Sequence, residues 1–243
     1  MSSISRLCRR LGRRAVHVFY RPYVLWRIAA PSRASVEGLS LLTDPQVFHP
    51  LCFHSGQILV SYLRTLALDG RRFLDMGTGS GLVGLCAARL GARLTACDVN
   101  PRAVEVAREN ARRNGIAAEI VESNLFGALA DRTFDVICFN VPFYPRAPRS
   151  AFEAAFFAGP DFATVRQFAA DCSRFLAPGG SVIVIFSEDS GYQGIVSMFT
   201  SARLQVAFES VTSRLFERFH LVRFQRRDDV MAAGPSAAAA AAR

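Results

Sequence analysis

Hydrophobic and polar positions switch between two periods along this chain. Strand candidates, short stretches with closely spaced apolar residues, fall at 72–75, 93–98, 118–122, 134–139, 181–186, 204–208 and 217–224. Between them, apolar residues three and four apart mark helices at 57–68, 82–90, 101–113, 161–176 and 193–202. The runs fit strands buried on both faces, and the spaced patterns fit helices with one buried face. Strands alternating with helices predict an α/β domain built on a mostly parallel, doubly wound sheet, with ligand sites at the carboxyl ends of its strands. The last two runs have no helix between them, so the sheet closes with an antiparallel strand.

Punctuation supports these boundaries. Asn100 is placed to cap the helix that opens at Pro101, and Asn114-Gly115 stops it. Ser55 is read as the cap of the 57–68 helix, and Asp161 as the cap of the one that follows it. Strand ends then set a row of polar residues along one rim: Asp75, Asp98, Asn124 and Asn140.

Two stretches on that rim carry chemistry. The strand ending in Asp75 runs straight into Gly77, Gly79 and Gly81 before a helix begins. Glycines there let a ligand lie against bare backbone, and the first amides of the helix offer unused donors. Gly79, Gly81 and Gly84 also satisfy a dinucleotide-binding spacing, with Asp98 placed to meet ribose hydroxyls, so two ligand classes remain open at this point. The second stretch is Asn140-Val141-Pro142-Phe143-Tyr144-Pro145. Pro142 removes a backbone donor and extends the residue before it, so acceptors converge beside an aromatic face. Such a place suits a flat group bearing N–H donors. Downstream, 145–160 carries Phe152, Phe156 and Phe157 and reads as a substrate lid, while the aromatic and histidine loop at 47–54 reads as a second cover. His49 and His54 in that loop are minor catalytic candidates, with a structural role favoured.

Composition narrows the class. At 243 residues and 51% hydrophobic, the chain can bury one substantial core. Its six cysteines are scattered without metal or redox spacing and read as reduced core thiols of a cytoplasmic protein. Four isolated histidines predict no metal. The net charge of +9 comes from arginine alone, with no lysine anywhere. Much of it lies in the first thirty-three residues, whose apolar run is too interrupted to span a membrane. This segment reads first as a helix packed on the domain and second as a basic arm for nucleic acid or an anionic membrane surface. The chain thus divides into a basic arm and lead-in at 1–43, a principal domain at 44–227, and an alanine-rich disordered tail at 228–243.

Taken together, Leu74-Asp75-Met76-Gly77-Thr78-Gly79-Ser80-Gly81, Asp98-Val99-Asn100-Pro101, Glu122-Ser123-Asn124-Leu125-Phe126, Asn140-Val141-Pro142-Phe143 and Pro178-Gly179-Gly180 resemble the class I S-adenosylmethionine-dependent methyltransferases. Within them the chain is similar to the HemK/PrmC-like group with its N-P-P-Y motif and methyltransferase small domain, over about residues 44 to 225. The resemblance implies a Rossmann-like, seven-stranded sheet and decides against a dinucleotide. It implies that Asp75, Gly77, Gly79, Gly81, Asp98, Asn124 and Asn140 hold S-adenosyl-L-methionine. It further implies that Asn140, Pro142 and Phe143 hold a planar acceptor nitrogen of a protein (glutamine), an RNA or a small molecule. Val141 stands where the family has its first proline, and Asn124 where it has aspartate. A methyltransferase-fold binding module for RNA or membrane, with an altered N-V-P-F turn, is the competing expectation, and a nicotinamide enzyme stands last.

Overall fold

A computed structural model describes residues 29–214 and 217–229. The arm at 1–28 and most of the alanine-rich tail lie outside the described residues. Seven strands form the central sheet: β3 (Arg72–Met76), β4 (Arg93–Asp98), β5 (Glu119–Glu122), β6 (Phe134–Asn140), β7 (Leu176–Ser187), β8 (Leu204–Arg214) and β9 (Glu217–Arg226). Their order is β5-β4-β3-β6-β7-β9-β8, parallel from β5 to β7, with β9 antiparallel to both neighbours. The sheet therefore has the predicted topology. After β5 the chain returns to the other side of β3, so the strand order reverses between β3 and β6, and a crevice opens at their carboxyl ends.

Helices cover both faces. On one, α1 (Ser55–Leu63), α2 (Leu82–Arg89) and α3 (Pro101–Arg113) pack through Leu59, Leu85 and Ala107 onto Phe73 and Ile183. On the other, α4 (Ala163–Cys172) and α5 (Tyr192–Ser201) close over Ile137, Val184 and Phe224 with Phe168 and Phe199. In the central strands β6 and β7 residues pointing to both faces are buried and apolar, which is why apolar residues follow one another there in sequence. Asn100 caps α3 as expected, accepting from the Arg102 amide at 3.0 Å.

Several boundaries differ from expectation. Helix α1 starts at Ser55 and stops at Leu63, so Ser55 is inside the helix rather than capping it; His54 is the cap, without a side-chain bond. The Thr65 hydroxyl takes the Tyr62 carbonyl just past the end, and a short turn prolongs the apolar spacing beyond the true helix. Asp161 does not cap α4: it sits in a short 3₁₀ turn with φ 51°, Phe162 follows at φ 57°, and α4 begins only after both. Strand β8 runs six residues past the expected 208, because it pairs with β9 along its whole length.

Ahead of the sheet lies an element that the strand runs did not reveal. β1 (Ser32–Val36) and β2 (Leu39–Thr43) form a hairpin turning at Glu37 and Gly38. Its buried Ala34, Val36, Leu39 and Leu41 join the core beside α1, α2 and α3. This lead-in is therefore packed against the main body.

Candidate functional site

The cradle begins at the end of β3. Asp75 is buried, and its Oδ2 accepts from the Thr78 hydroxyl at 2.6 Å and from the Gly84 amide at 2.9 Å. These bonds draw the chain tightly over the strand end and fix the first turn of α2 against it. No side chain fits at Gly84, where a Cβ would lie 2.9 Å from both Asp75 Oδ2 and Leu94 Cδ1. Gly77 is at φ 65° with the Phe139 ring 3.1 Å from any added Cβ, so the turn passes close over β6. Beside it, the Gly79 amide donates to Asp98 Oδ2 at 2.9 Å and the Asn100 amide to Asp98 Oδ1 at 2.9 Å. The ends of β3 and β4 are thereby tied into one floor.

Above that floor is a cavity of about 290 Å³. Asp75, Gly77, Gly79, Asp98, Asn124, Asn140 and Pro142 all border it, so most of the expected site converges on one place. Burial pushes the Asp75 carboxyl up to about 7; the Asp98 charge adds to the rise, against the pull of Thr78 and the Gly84 amide. Burial likewise raises Asp98, opposed by the amides of Asn100, Gly79 and Val99. Two desolvated carboxylates facing one cavity make it receptive to a cation. Across the floor, Asn140 Oδ1 is buried and has no hydrogen-bond partner. A buried acceptor without a donor costs about 1–3 kcal/mol unless a ligand satisfies it.

Two expected residues stand behind the lining. Gly81 caps α2 at φ 87°. Phe143 does not face the cavity: it packs 6.1 Å from Phe219, and its carbonyl accepts from the Ser190 hydroxyl at 2.9 Å. Beyond Pro142 the half-buried ring packs against the main cores on both faces of the sheet. The aromatic border is supplied instead by Phe48, Phe53, Phe139, Phe152 and Phe157. Neither histidine candidate borders the cavity; His49 is buried, with Nδ1 accepting from the Leu51 amide, and burial lowers His54.

Both expected covers are present and touch each other. Phe48 stacks on Phe53 at 4.3 Å, and Phe156 meets them at 5.5 and 5.3 Å. The second loop is pinned at its base by a bridge between Tyr144 and Phe157. The first is held to α3 by the Asp44–Arg102 ion pair at 2.8 Å and by the Asn100 side chain donating to the Gln46 carbonyl at 2.7 Å. Sequence reasoning passed over Thr78, whose signal was a hydroxyl three residues beyond a strand-end carboxylate. It also passed over Asn110, a polar residue on the apolar face of α3.

A floor of glycine backbone and two strand-end carboxylates at the switch point of a doubly wound sheet is the arrangement of a nucleotide-type cofactor site. The family model for the methyltransferase small domain matches residues 38–213, and the chain belongs to that family. It is an S-adenosylmethionine-dependent methyltransferase. Among its relatives, a putative protein N5-glutamine methyltransferase of Methanocaldococcus jannaschii is 29% identical over 191 residues, 72% of this chain and 94% of that protein. A release factor glutamine methyltransferase of Deinococcus radiodurans is 36% identical over 60% of this chain and 56% of its own length. Among solved structures, a T. thermophilus 16S rRNA N2-guanine methyltransferase, in complex with AdoMet and guanosine, shares the fold with a TM-score of 0.64. That match is 19% identical and covers 81% of this chain and 50% of the other.

Proposed function

We propose that this enzyme methylates a planar nitrogen, an amide or amino group of a protein or RNA, and that Asn140 receives that nitrogen. The observation that carries the reading is that Asn140 borders the cavity next to Pro142 while its side-chain Oδ1 is buried without a partner. The names of relatives support it: one acts on glutamine N5 and a neighbour of the same fold on N2 of an rRNA guanine. Both are flat groups whose nitrogen bears hydrogens.

The residues present fit S-adenosylmethionine. Asp75 and Asp98 offer negative charge to a cationic ligand, the backbone at Gly77 and Gly79 is bare, and Asn124 borders the same cavity. In this reading Asp98 meets the ribose, Asn124 the adenine, and Asp75 lies beside the positive groups. The cofactor supplies a methyl group on a sulfonium, already a strong electrophile. Asn140 Oδ1 would accept a hydrogen bond from the acceptor nitrogen, which fixes its plane and returns electron density to the attacking atom, and the methylated nitrogen then releases its proton to solvent. Pro142 holds the turn that aims this acceptor. The two phenylalanine loops exclude water, so the nitrogen competes with no other nucleophile. A cytoplasmic place of action belongs to the same reading, supported by the buried thiols of Cys52, Cys86, Cys97, Cys138 and Cys172.

The test is Asn140→Ala, with cofactor titration by calorimetry and labelled-methyl transfer into cell extract. Transfer should fall by about a hundredfold or more, a loss of the size seen on removing one aligned transition-state contact, while cofactor affinity changes little. Loss of both together would remove Asn140 from the acceptor side.

A further inference from the structure

Strand β2 pairs with β1 on one side only. Along its other side, the backbone of Ser40 and Leu42 is met by two side-chain amides of α3 instead of a strand. Asn114 accepts from the Ser40 amide at 2.9 Å and donates to its carbonyl at 3.1 Å. Asn110 accepts from the Leu42 amide at 2.6 Å and donates to its carbonyl at 3.1 Å. Each amide behaves as a peptide group would. The match is geometric: residues four apart on a helix rise about 6 Å, and residues two apart on a strand about 6.6 Å.

The same register continues toward the cavity. Val47 seats on Ala103 and Val106, Asp44 pairs with Arg102, and the Gln46 carbonyl takes Asn100. Residues 38–48 thus form a strap laid along α3, and its far end, from Gln46 to Phe48, is part of the cavity wall. Asn114 donates once more only within its own helix end, to the Asn110 carbonyl at 2.7 Å, whereas Asn110 reaches across to the cradle. Its Nδ2 also donates to the Ser80 carbonyl at 2.9 Å, in the middle of the glycine turn, and the residue is wholly buried.

We propose that Asn110 is a positioning residue of the cofactor site, joining the glycine turn at Ser80 to the strap at Leu42 so that the two are ordered together. It touches neither cofactor nor acceptor. The proposal rests on the S-adenosylmethionine reading of the cavity. By reciprocity, a ligand that orders the glycine turn also orders the strap.

The test uses S-adenosylhomocysteine with the full chain. In the wild type, saturating ligand should slow hydrogen exchange at the Leu42 amide, which does not border the cavity, by about tenfold, and at the Ser40 amide by clearly less. By calorimetry, Asn110→Ala should bind about tenfold more weakly, the effect of leaving the Ser80 carbonyl without its donor. Asn114→Ala should stay within about twofold, since it loses the strap contact and a donation to the Asn110 carbonyl at the end of α3 but nothing that reaches the glycine turn. Unchanged Leu42 exchange in the saturated wild type overturns the proposal. Equal weakening by both asparagine variants does so too, because the strap as a whole would then be responsible. Should Asn110→Ala fail to fold, the wild-type exchange comparison decides alone. A wild type that binds no S-adenosylhomocysteine overturns the cofactor reading and the proposal with it, and calorimetry separates that result from binding without Leu42 protection.

Discussion

Asp75 shows how one residue ties stability to ligand binding. Its carboxyl titrates at about 7 in the folded protein against 3.8 as the ordinary value, chiefly through burial. Between those values the folded state holds a proton that the unfolded chain has released. Its contribution to stability is therefore complete below about pH 4 and is lost as pH rises through about 7. The groups facing it are the Thr78 hydroxyl, the Gly84 amide and the Asp98 carboxylate, so among the described residues no fixed cation offsets its charge. Urea midpoints at about pH 5 and pH 8 should fall for the wild type relative to Asp75→Asn; parallel curves for the two would refute the assignment. Affinity for a cationic ligand has the opposite slope, rising with pH as the carboxylate forms. Strand-end carboxylates and the glycines after them were legible in sequence because backbone geometry fixes where a strand ends. The direction of Phe143 was not, because the ring it packs beside, Phe219, lies far along the chain in β9.

At the scale of elements, packing of α2 on β3 decides whether the cradle forms. Gly84 stands in the first turn of α2, where alanine would ordinarily be favoured by up to about 1 kcal/mol. Here a methyl group would press on Asp75 and Leu94, and over-packing of that kind costs about 1–3 kcal/mol. Gly84→Ala should thus destabilise the protein by about 1–2 kcal/mol in denaturant unfolding, and an equal or higher midpoint would show that the helix can shift. The helix itself was legible from its apolar spacing over 82–90, but Gly84 was visible only as part of a dinucleotide-like spacing. Its third glycine serves helix-to-strand approach, a need common to several nucleotide-binding folds, and for that reason the spacing could not choose among ligands. Strands buried on both faces were equally legible, whereas the β1–β2 hairpin was not. Its apolar residues are few and alternate over only five positions per strand, and its outer side is satisfied by asparagines of a helix some seventy residues later.

Across the whole molecule, the site is closed by segments that are remote in sequence. Phe48 and Phe53 precede the sheet, and Phe152 and Phe156 follow β6, yet the four rings form one cluster over the cavity. Phe156 is the joint, touching Phe48, Phe53 and Phe152. Each aromatic pair contributes about 0.5–1.5 kcal/mol beyond simple burial, and two of these pairs cross between the loops. The loops are anchored at their bases, the first by Asp44 and Gln46 on α3 and the second at Tyr144 and Phe157, so opening needs only the ring contacts to part. Phe156→Ala should therefore favour the open state by about 1–3 kcal/mol, a shift of roughly five- to a hundredfold in the opening equilibrium. Stopped-flow release of S-adenosylhomocysteine should accelerate accordingly, while Asp75, Asp98 and the glycine turn, untouched by the change, keep their geometry. The unfolding midpoint should move much less than the release rate, because the four rings hold two surface loops and lie outside both main cores. If release were unaltered and only stability fell, the rings would be packing for the fold and the gate would lie elsewhere.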